Sequence, residues 1–295
     1  MNRTSLLLAA LVALVMTAFD AKADYKELWS LGAVDVDYQG KKPCSKDAFV
    51  AVSWNVANFG GNESAERVEA IASVLRYAEI ASVLEVSGSF QGPKAVSLLQ
   101  DELSRKGAKW RVAISNATTP EPAGKNTSER VAFLWKNHAA SVGASTSRLT
   151  NDLSGSIARE PYQIEVIGNK VGKVEFYAFH ARPEGSGAKE EAAILSGYLK
   201  SSNPGSDFAT VVMGDFNLGK PQLDKVFVPA GFKAGVSGAS SLKKDGSGVS
   251  KKRDNAYFRN ASVCEAGRIR TDKLFGAKSV MASDHVPVYV VFQPE

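Results

Sequence analysis

The chain has 295 residues, of which 44% are hydrophobic, 23% charged and 9% aromatic; that is an ordinary globular composition and excludes collagen-like, disordered and coiled-coil classes. The net charge of +5 tolerates a polyanionic partner without demanding one. Only two cysteines are present, Cys44 and Cys264, which excludes a disulfide-dense scaffold and a four-cysteine zinc site.

Taken in chain order, the sequence begins with an address. Arg3 precedes an apolar run from Leu6 to Phe19, which ends at Asp20 and is followed by the small-x-small triplet Ala21-Lys22-Ala23. This is the pattern of a secretory signal peptide, and the run is shorter than the roughly 20 residues a spanning helix needs. Residues 1–23 are expected to be removed, leaving 24–295 as a single domain that is exported to the periplasm or secreted. No cysteine closely follows the run, so a lipid anchor is not expected, and no later stretch is apolar enough to span a bilayer. Export permits a disulfide, but the sequence leaves open whether Cys44 and Cys264 bridge or stay as two buried thiols.

Ala48–Trp54 reads as a strand, and Ser64–Arg76 as an amphipathic helix with Val68, Ile71, Ala72 and Leu75 on one face. Ile80–Val86 is a second strand, followed by a helix over Pro93–Lys106 that Gly107 terminates. Strands are predicted at Trp110–Ile114, Arg130–Trp135, Tyr162–Val166 and Val174–His180, a helix at Gly187–Leu199, and strands at Phe208–Asp215, Ala256–Val263 and Val286–Phe292. Residues 233–253, rich in Gly, Ser and Lys, read as a mobile surface loop. Strands and helices interleave without a repeat, which implies a layered α/β fold with helices outside the sheet or sheets.

Five segments place polar residues at the end of, or inside, an apolar strand: Trp54-Asn55, Glu85 within Val83–Val86, Phe179-His180, Gly214-Asp215-Phe216-Asn217, and Ser283-Asp284-His285. A buried carboxylate or imidazole needs a partner or a metal. Collecting Glu85, Asp215 and Asp284 in one place would create like-charge repulsion that a hard divalent cation relieves. Oxygen ligands suit Mg²⁺, Mn²⁺ or Ca²⁺ better than zinc. Two of the three histidines, His180 and His285, fall in these segments, whereas His138 reads as a turn residue.

On these motifs the chain resembles the endonuclease/exonuclease/phosphatase superfamily, and most closely its secreted deoxyribonuclease I-like branch, from about Phe49 to Phe292. The resemblance implies a four-layer α/β/β/α sandwich, two packed mixed β-sheets with helices on the outer faces. It also implies a divalent-metal-dependent phosphodiesterase, a hydrolase that cuts DNA. Asn55 matches a metal-proximal Asn, Glu85 the principal metal carboxylate, Asp215 and Asn217 the pair at the scissile phosphate and the metal, and Asp284 a metal-linked Asp. Glu129, in Ser128-Glu129-Arg130, is expected to orient His180, and Asp254 to partner His285. Phosphodiester hydrolysis needs an activated water, compensation of phosphoryl charge and a protonated leaving oxygen. His285 is read as the base and His180 as the acid, with the exchange of roles left open. Asn55 and Asn217 would donate to phosphate oxygens.

The chain departs from that branch at Ser87, where its DNases often carry Arg, and at Thr127, where they often carry an aromatic residue. Alternative phosphate contacts are Lys251, Lys252 and Arg253, which lead into Asp254, together with Lys243, Lys244 and Arg182. The solvated-loop reading of those lysines stands beside this one. DNA is the expected substrate partner, with Mg²⁺ as cofactor, no obligate protein partner and a monomeric state. The competing readings are a sphingomyelinase-like phospholipid phosphodiesterase, a toxin-type nuclease subunit and a catalytically dead binding module.

Overall fold

The computed structural model describes residues 25–46, 48–118, 128–142, 148–149, 153, 155–168, 171–202 and 208–293. The expected signal segment 1–23 and Thr127 lie outside the described residues. Strand β1 (Val34–Gln39) follows a short helix, α1 (Lys26–Ser30). Then come β2 (Phe49–Phe59), α2 (Ala65–Leu75), β3 (Ile80–Ser87), α3 (Gln91–Arg105), β4 (Trp110–Ile114) and β5 (Glu129–Lys136). The second half holds β6 (Ala140–Val142), β7 (Arg148–Leu149), β8 (Tyr162–Gly168), β9 (Gly172–His180), α4 (Ala188–Ser202), β10 (Ala209–Asp215) and α5 (Lys220–Phe227). Short strands β11 (Lys233–Ala234), β12 (Ser241–Leu242) and β13 (Val249–Lys251) precede β14 (Asp254–Arg259) and β15 (Val263–Ile269). Helices α6 (Thr271–Phe275) and α7 (Ser279–Ala282) lead into β16 (Val288–Phe292).

The strands form two seven-stranded mixed sheets. One runs β1-β15-β16-β2-β3-β5-β4; the other runs β11-β14-β10-β9-β8-β6, with β7 also on β8. Each sheet contains one parallel pair closed by a helical crossover: β2 and β3 through α2, and β9 and β10 through α4. Side-chain alternation divides the interior into three cores. Val50, Val52, Trp54, Val83 and Val86 pack against Ile71, Leu75, Val96 and Leu99 of the helices outside the first sheet. Phe49, Ala51, Leu84, Ile164, Phe176, Val211, Met213 and Val290 fill the space between the sheets. Tyr177, Phe179 and Val212 meet Ala192, Leu195, Leu223 and Phe227 outside the second sheet. Three cores between four layers are the expected α/β/β/α sandwich.

Local chemistry explains the elements. Ser64 caps α2, its Oγ accepting the Arg67 N–H at 3.2 Å. Helix α5 carries Pro221 in its first turn, and Gln222 accepts the Gly219 N–H at 3.0 Å. The strand expected over Ala256–Val263 is in fact two strands in different sheets, β14 and β15, parted at Asn260, whose φ is +53°. The apolar pattern runs through this turn and hides it. The 233–253 segment contains the β12–β13 hairpin rather than loop alone. Strand β1, which the sequence reading passed over, is a charged edge strand: Asp37 accepts from Arg268 Nε at 2.8 Å and Asp35 from Arg270 Nη1 at 2.7 Å. Cys44 and Cys264 are joined in a disulfide with Cα atoms 5.2 Å apart, closing a sequence separation of 220. It fastens the segment after β1 to β15, where Gly40 N–H also donates to Cys264 O at 2.7 Å.

Candidate active site

Both parallel pairs end at the same place, and four of the sequence-predicted residues sit on those ends: Asn55 on β2, Glu85 on β3, His180 on β9 and Asp215 on β10. His180 is the register partner of Asp215 on one side, and Asp254 of β14 is its partner on the other. Among the described residues, five non-glycine residues have positive φ, and four of them are here: Ala57 (+48°), Asn58 (+52°), Glu85 (+57°) and Asn217 (+51°). Such backbone persists only where the surroundings hold it, and it clusters at functional sites. At Glu85 its effect is visible. Pairing of β3 slips between Val83 and Val86 against β5, so both valines face the helix-side core and the intervening Glu85 is released from alternation.

The freed Glu85 carboxylate accepts the Asn58 N–H at 2.9 Å and Asn55 Nδ2 at 2.8 Å. The same Asn55 amide donates to Asp215 Oδ2 at 3.2 Å. Asn55 itself is fixed by the Ala57 N–H at 3.0 Å and by Ser283 Oγ, which donates to its carbonyl at 2.6 Å. Two imidazole–carboxylate pairs converge on Asp215. His180 Nδ1 is 2.8 Å from Glu129 Oε2, and its Nε2 is 3.8 Å from Asp215 Oδ2 and 3.9 Å from Glu85. His285 Nδ1 is 2.6 Å from Asp254 Oδ2, and its Nε2 is 3.7 Å from the same Asp215 oxygen. Each carboxylate fixes one ring nitrogen and leaves the other facing the centre.

Electrostatics follow from this crowding. For His180, burial pulls the pKa down, but the Glu129 charge and hydrogen bond, with Asp215, outweigh it and raise it. His285 is likewise pushed up to about 10, with Asp254 and Asp215 overcoming burial. Glu129 is lowered: burial raises it, while His180 and then Arg159 prevail. Asp215 is raised, by burial first and by neighbouring Asp254 next.

The remaining predicted residues are distributed less tightly. Asn217 donates its backbone N–H to Asp215 Oδ1 at 2.9 Å and Nδ2 to Ala181 O at 3.1 Å, and Arg253 Nη1 donates to its Oδ1. Lys251 and Lys252 are exposed on and beside β13. Arg182 is drawn onto Glu191, its Nε 3.3 Å from Oε1. Asp284 is exposed. It adds to the field that raises His285, but the structure does not bring it into the cluster of ligand atoms that Asp215, Asp254 and His285 form within 4.8 Å. Sequence reasoning missed Arg159, whose Nε donates to Glu129 Oε1 at 2.8 Å, and Ser240, whose Oγ accepts the Asp254 N–H at 2.9 Å. Neither sits in a strand-end motif. Arg67 was missed as well: it binds the Val56, Ala57 and Ala282 carbonyls and Glu63, so one guanidinium ties the Asn55 turn to the segment before His285.

The donor set fits a divalent cation at Glu85. A single Asn55 amide holds Glu85 and Asp215 oxygens together, two carboxylates whose repulsion a cation would offset, and every nearby donor but the imidazoles is oxygen. Asp254 and His285 are already joined to each other, which makes them a proton-handling pair rather than a metal cage.

The sequence matches the Endonuclease/Exonuclease/phosphatase family over residues 52–285. No curated protein matches the chain. Among solved structures, D. rerio TDP2 complexed with single strand DNA product superposes with a TM-score of 0.61 at 16% identity, covering 83% of this chain and 99% of that one. The human Nocturnin catalytic domain with bound sulfate gives 0.56 at 15%, covering 84% and 95%. Bacteroides thetaiotaomicron mannosyl-6-phosphatase gives 0.57 at 16%, covering 82% and 98%. At these identities the structures speak to fold alone, and it is the family match across the catalytic strand ends that decides: the chain belongs to the Endonuclease/Exonuclease/phosphatase family, divalent-metal-dependent hydrolases of phosphoester bonds.

Proposed function

We propose that this protein is an exported, Mg²⁺-dependent nuclease that hydrolyses DNA. The observation that carries the chemistry is the convergence of two histidine–carboxylate pairs on one buried aspartate, beside an oxygen-rich site at Glu85. In the reaction a water oxygen bonds to phosphorus as the bond to the leaving oxygen breaks. His285, held by Asp254, takes the water proton; His180, held by Glu129, gives its proton to the leaving alkoxide. The Asn55 amide, donating to Glu85 and Asp215, and the Asn217 amide, donating to Ala181 O, position the groups around the phosphoryl site. A bound divalent cation supplies charge compensation to the phosphoryl oxygens and draws down the pKa of the imidazoles beside it.

A nucleic-acid substrate is favoured by the β12–β13 hairpin, which exposes Lys243, Lys244, Lys251 and Lys252. That hairpin is welded to the catalytic segment: Leu242 N–H donates to Asp284 O at 2.7 Å and Val286 N–H to Ser240 O at 2.8 Å. Exposed large apolar side chains among the described residues are scattered along the sequence, with only Val280 and Met281 adjacent, and form no apolar run of the kind a lipid-inserting loop presents. The disulfide supports an oxidising destination, in keeping with residues 1–23 as a signal peptide and 24–295 as one monomeric domain. The test is nicking of supercoiled plasmid in Mg²⁺ and in EDTA. Cleavage in Mg²⁺ that EDTA abolishes is expected; a folded protein that leaves plasmid intact in Mg²⁺ contradicts the reading.

A further inference from the structure

The two flanks of the centre differ in chemistry. On the β3 side lies an open cleft of about 320 Å³ at the ends of β2, β3 and β5, within the range of small-ligand sites. Gly60, Ser87, Gly88, Ser89, Gln91 and Ser128 line it, with Glu85 and Glu129 at its inner wall, and no Lys or Arg lines it among the described residues. The walls are built close. A Cβ on Gly60 would lie 2.5 Å from Ser87 Cβ, and one on Gly88 would lie 2.5 Å from Ser128 O. Phe90 stands between the lining residues Ser89 and Gln91 and is 82% exposed, a large ring left in water at the lip. On the other flank, the lysine hairpin is bridged to His285 through Ser241. His285 leads into β16, which borders β2 on the edge opposite β3.

We infer that the site is charge-polarised: the cleft takes the uncharged nucleoside on one side of the scissile phosphate, and the flanking phosphates on the other side run over the hairpin. This rests on the nuclease reading. A phosphate in the cleft meets Glu85, Glu129 and hydroxyls, with no Lys or Arg among the described lining residues, whereas on the hairpin it meets Lys251 and Lys252. A sugar finds hydroxyl and amide partners in the cleft, and its base finds the Phe90 ring, against which any base can stack. The chain therefore reads phosphates on only one side of its cut.

The experiment uses the purified protein in Mg²⁺ and short oligonucleotides with a single natural phosphodiester. In one substrate, the linkages on the 5′ side are charged phosphorothioates and those on the 3′ side neutral methylphosphonates; the other substrate is the reverse. An all-phosphodiester strand is the control. One of the two isomers is expected to be cut about tenfold faster, and the double variant Lys251→Ala/Lys252→Ala removes that advantage. Phe90→Ala lowers kcat/KM for both by about tenfold. Equal rates for the two isomers, with the control strand cut, would overturn this inference and leave the nuclease reading standing. So would an asymmetry that survives loss of the lysines. An uncut control strand would overturn the nuclease reading, and this inference with it.

Discussion

Asp215 is 2% exposed, with a histidine as its strand partner on one side and a second aspartate on the other. A carboxylate in that position is tolerable only because positive charge is held nearby, and the two imidazoles supply it. His285 shows the energetic consequence. Its folded-state pKa stands at about 10 against an ordinary 6.5. A raised pKa stabilises the fold fully below the unfolded value and loses that contribution as pH rises through the folded one. In EDTA-treated protein, His285→Asn should therefore be destabilised relative to wild type near about pH 6, and the gap should close by about pH 10.5. Denaturant unfolding at the two pH values measures it, and a gap that persists or widens at high pH contradicts the assignment. At this scale the sequence was informative where a polar residue ended an apolar strand, as at Asn55, His180 and Asp215. It was silent on Arg67, Arg159 and Ser240, because their roles depend on folding that brings distant loops together. At the Ser-Asp-His motif, Ser283 and His285 are buried and bonded into the site, while Asp284 is exposed and acts on His285 through its charge.

At the scale of elements, the site depends on how closely β9 and β10 run. Gly214 has φ of +144°, and a Cβ there would lie 2.0 Å from Phe179 O. Gly214→Ala must spread the two strands that carry His180 and Asp215, and should cost about 2–4 kcal/mol of stability together with most of the activity. Unchanged unfolding and turnover would show that the pair has slack the geometry denies. The disulfide acts on a different element, the edge of the first sheet. Replacing both Cys44 and Cys264 by Ser should lower stability by about 3–5 kcal/mol, since the bridge closes a very long loop; no change in the denaturant midpoint would contradict that. Strongly periodic elements such as α2 and β10 were legible because burial imposes their pattern. Strand β1 was not, since its Val-Asp-Val-Asp alternation balances two faces and its pairing depends on Arg268 and Arg270, far along the chain. The β14–β15 turn escaped for the opposite reason: both strands are buried on both faces, and little polarity marks where the chain changes sheets.

The whole molecule is two sheets, each with a parallel pair, stacked so that both pairs end at one cleft. The candidate site draws on both halves: the first sheet contributes Asn55, Glu85 and Glu129, and the second His180, Asp215 and Asp254, while His285 enters from the segment that leads into β16. The layered α/β class was readable from interleaved strands and helices, but their partition between two sheets was not, because register between distant strands leaves no local mark. The central claim is that both histidine–carboxylate pairs act on one phosphodiester. It is tested most directly by plasmid cleavage in Mg²⁺ by His180→Ala and His285→Ala, each checked for folding by circular dichroism. The account predicts that each variant stays folded and loses about 10²- to 10⁴-fold in rate. A folded variant of either histidine that cleaves near the wild-type rate would contradict it.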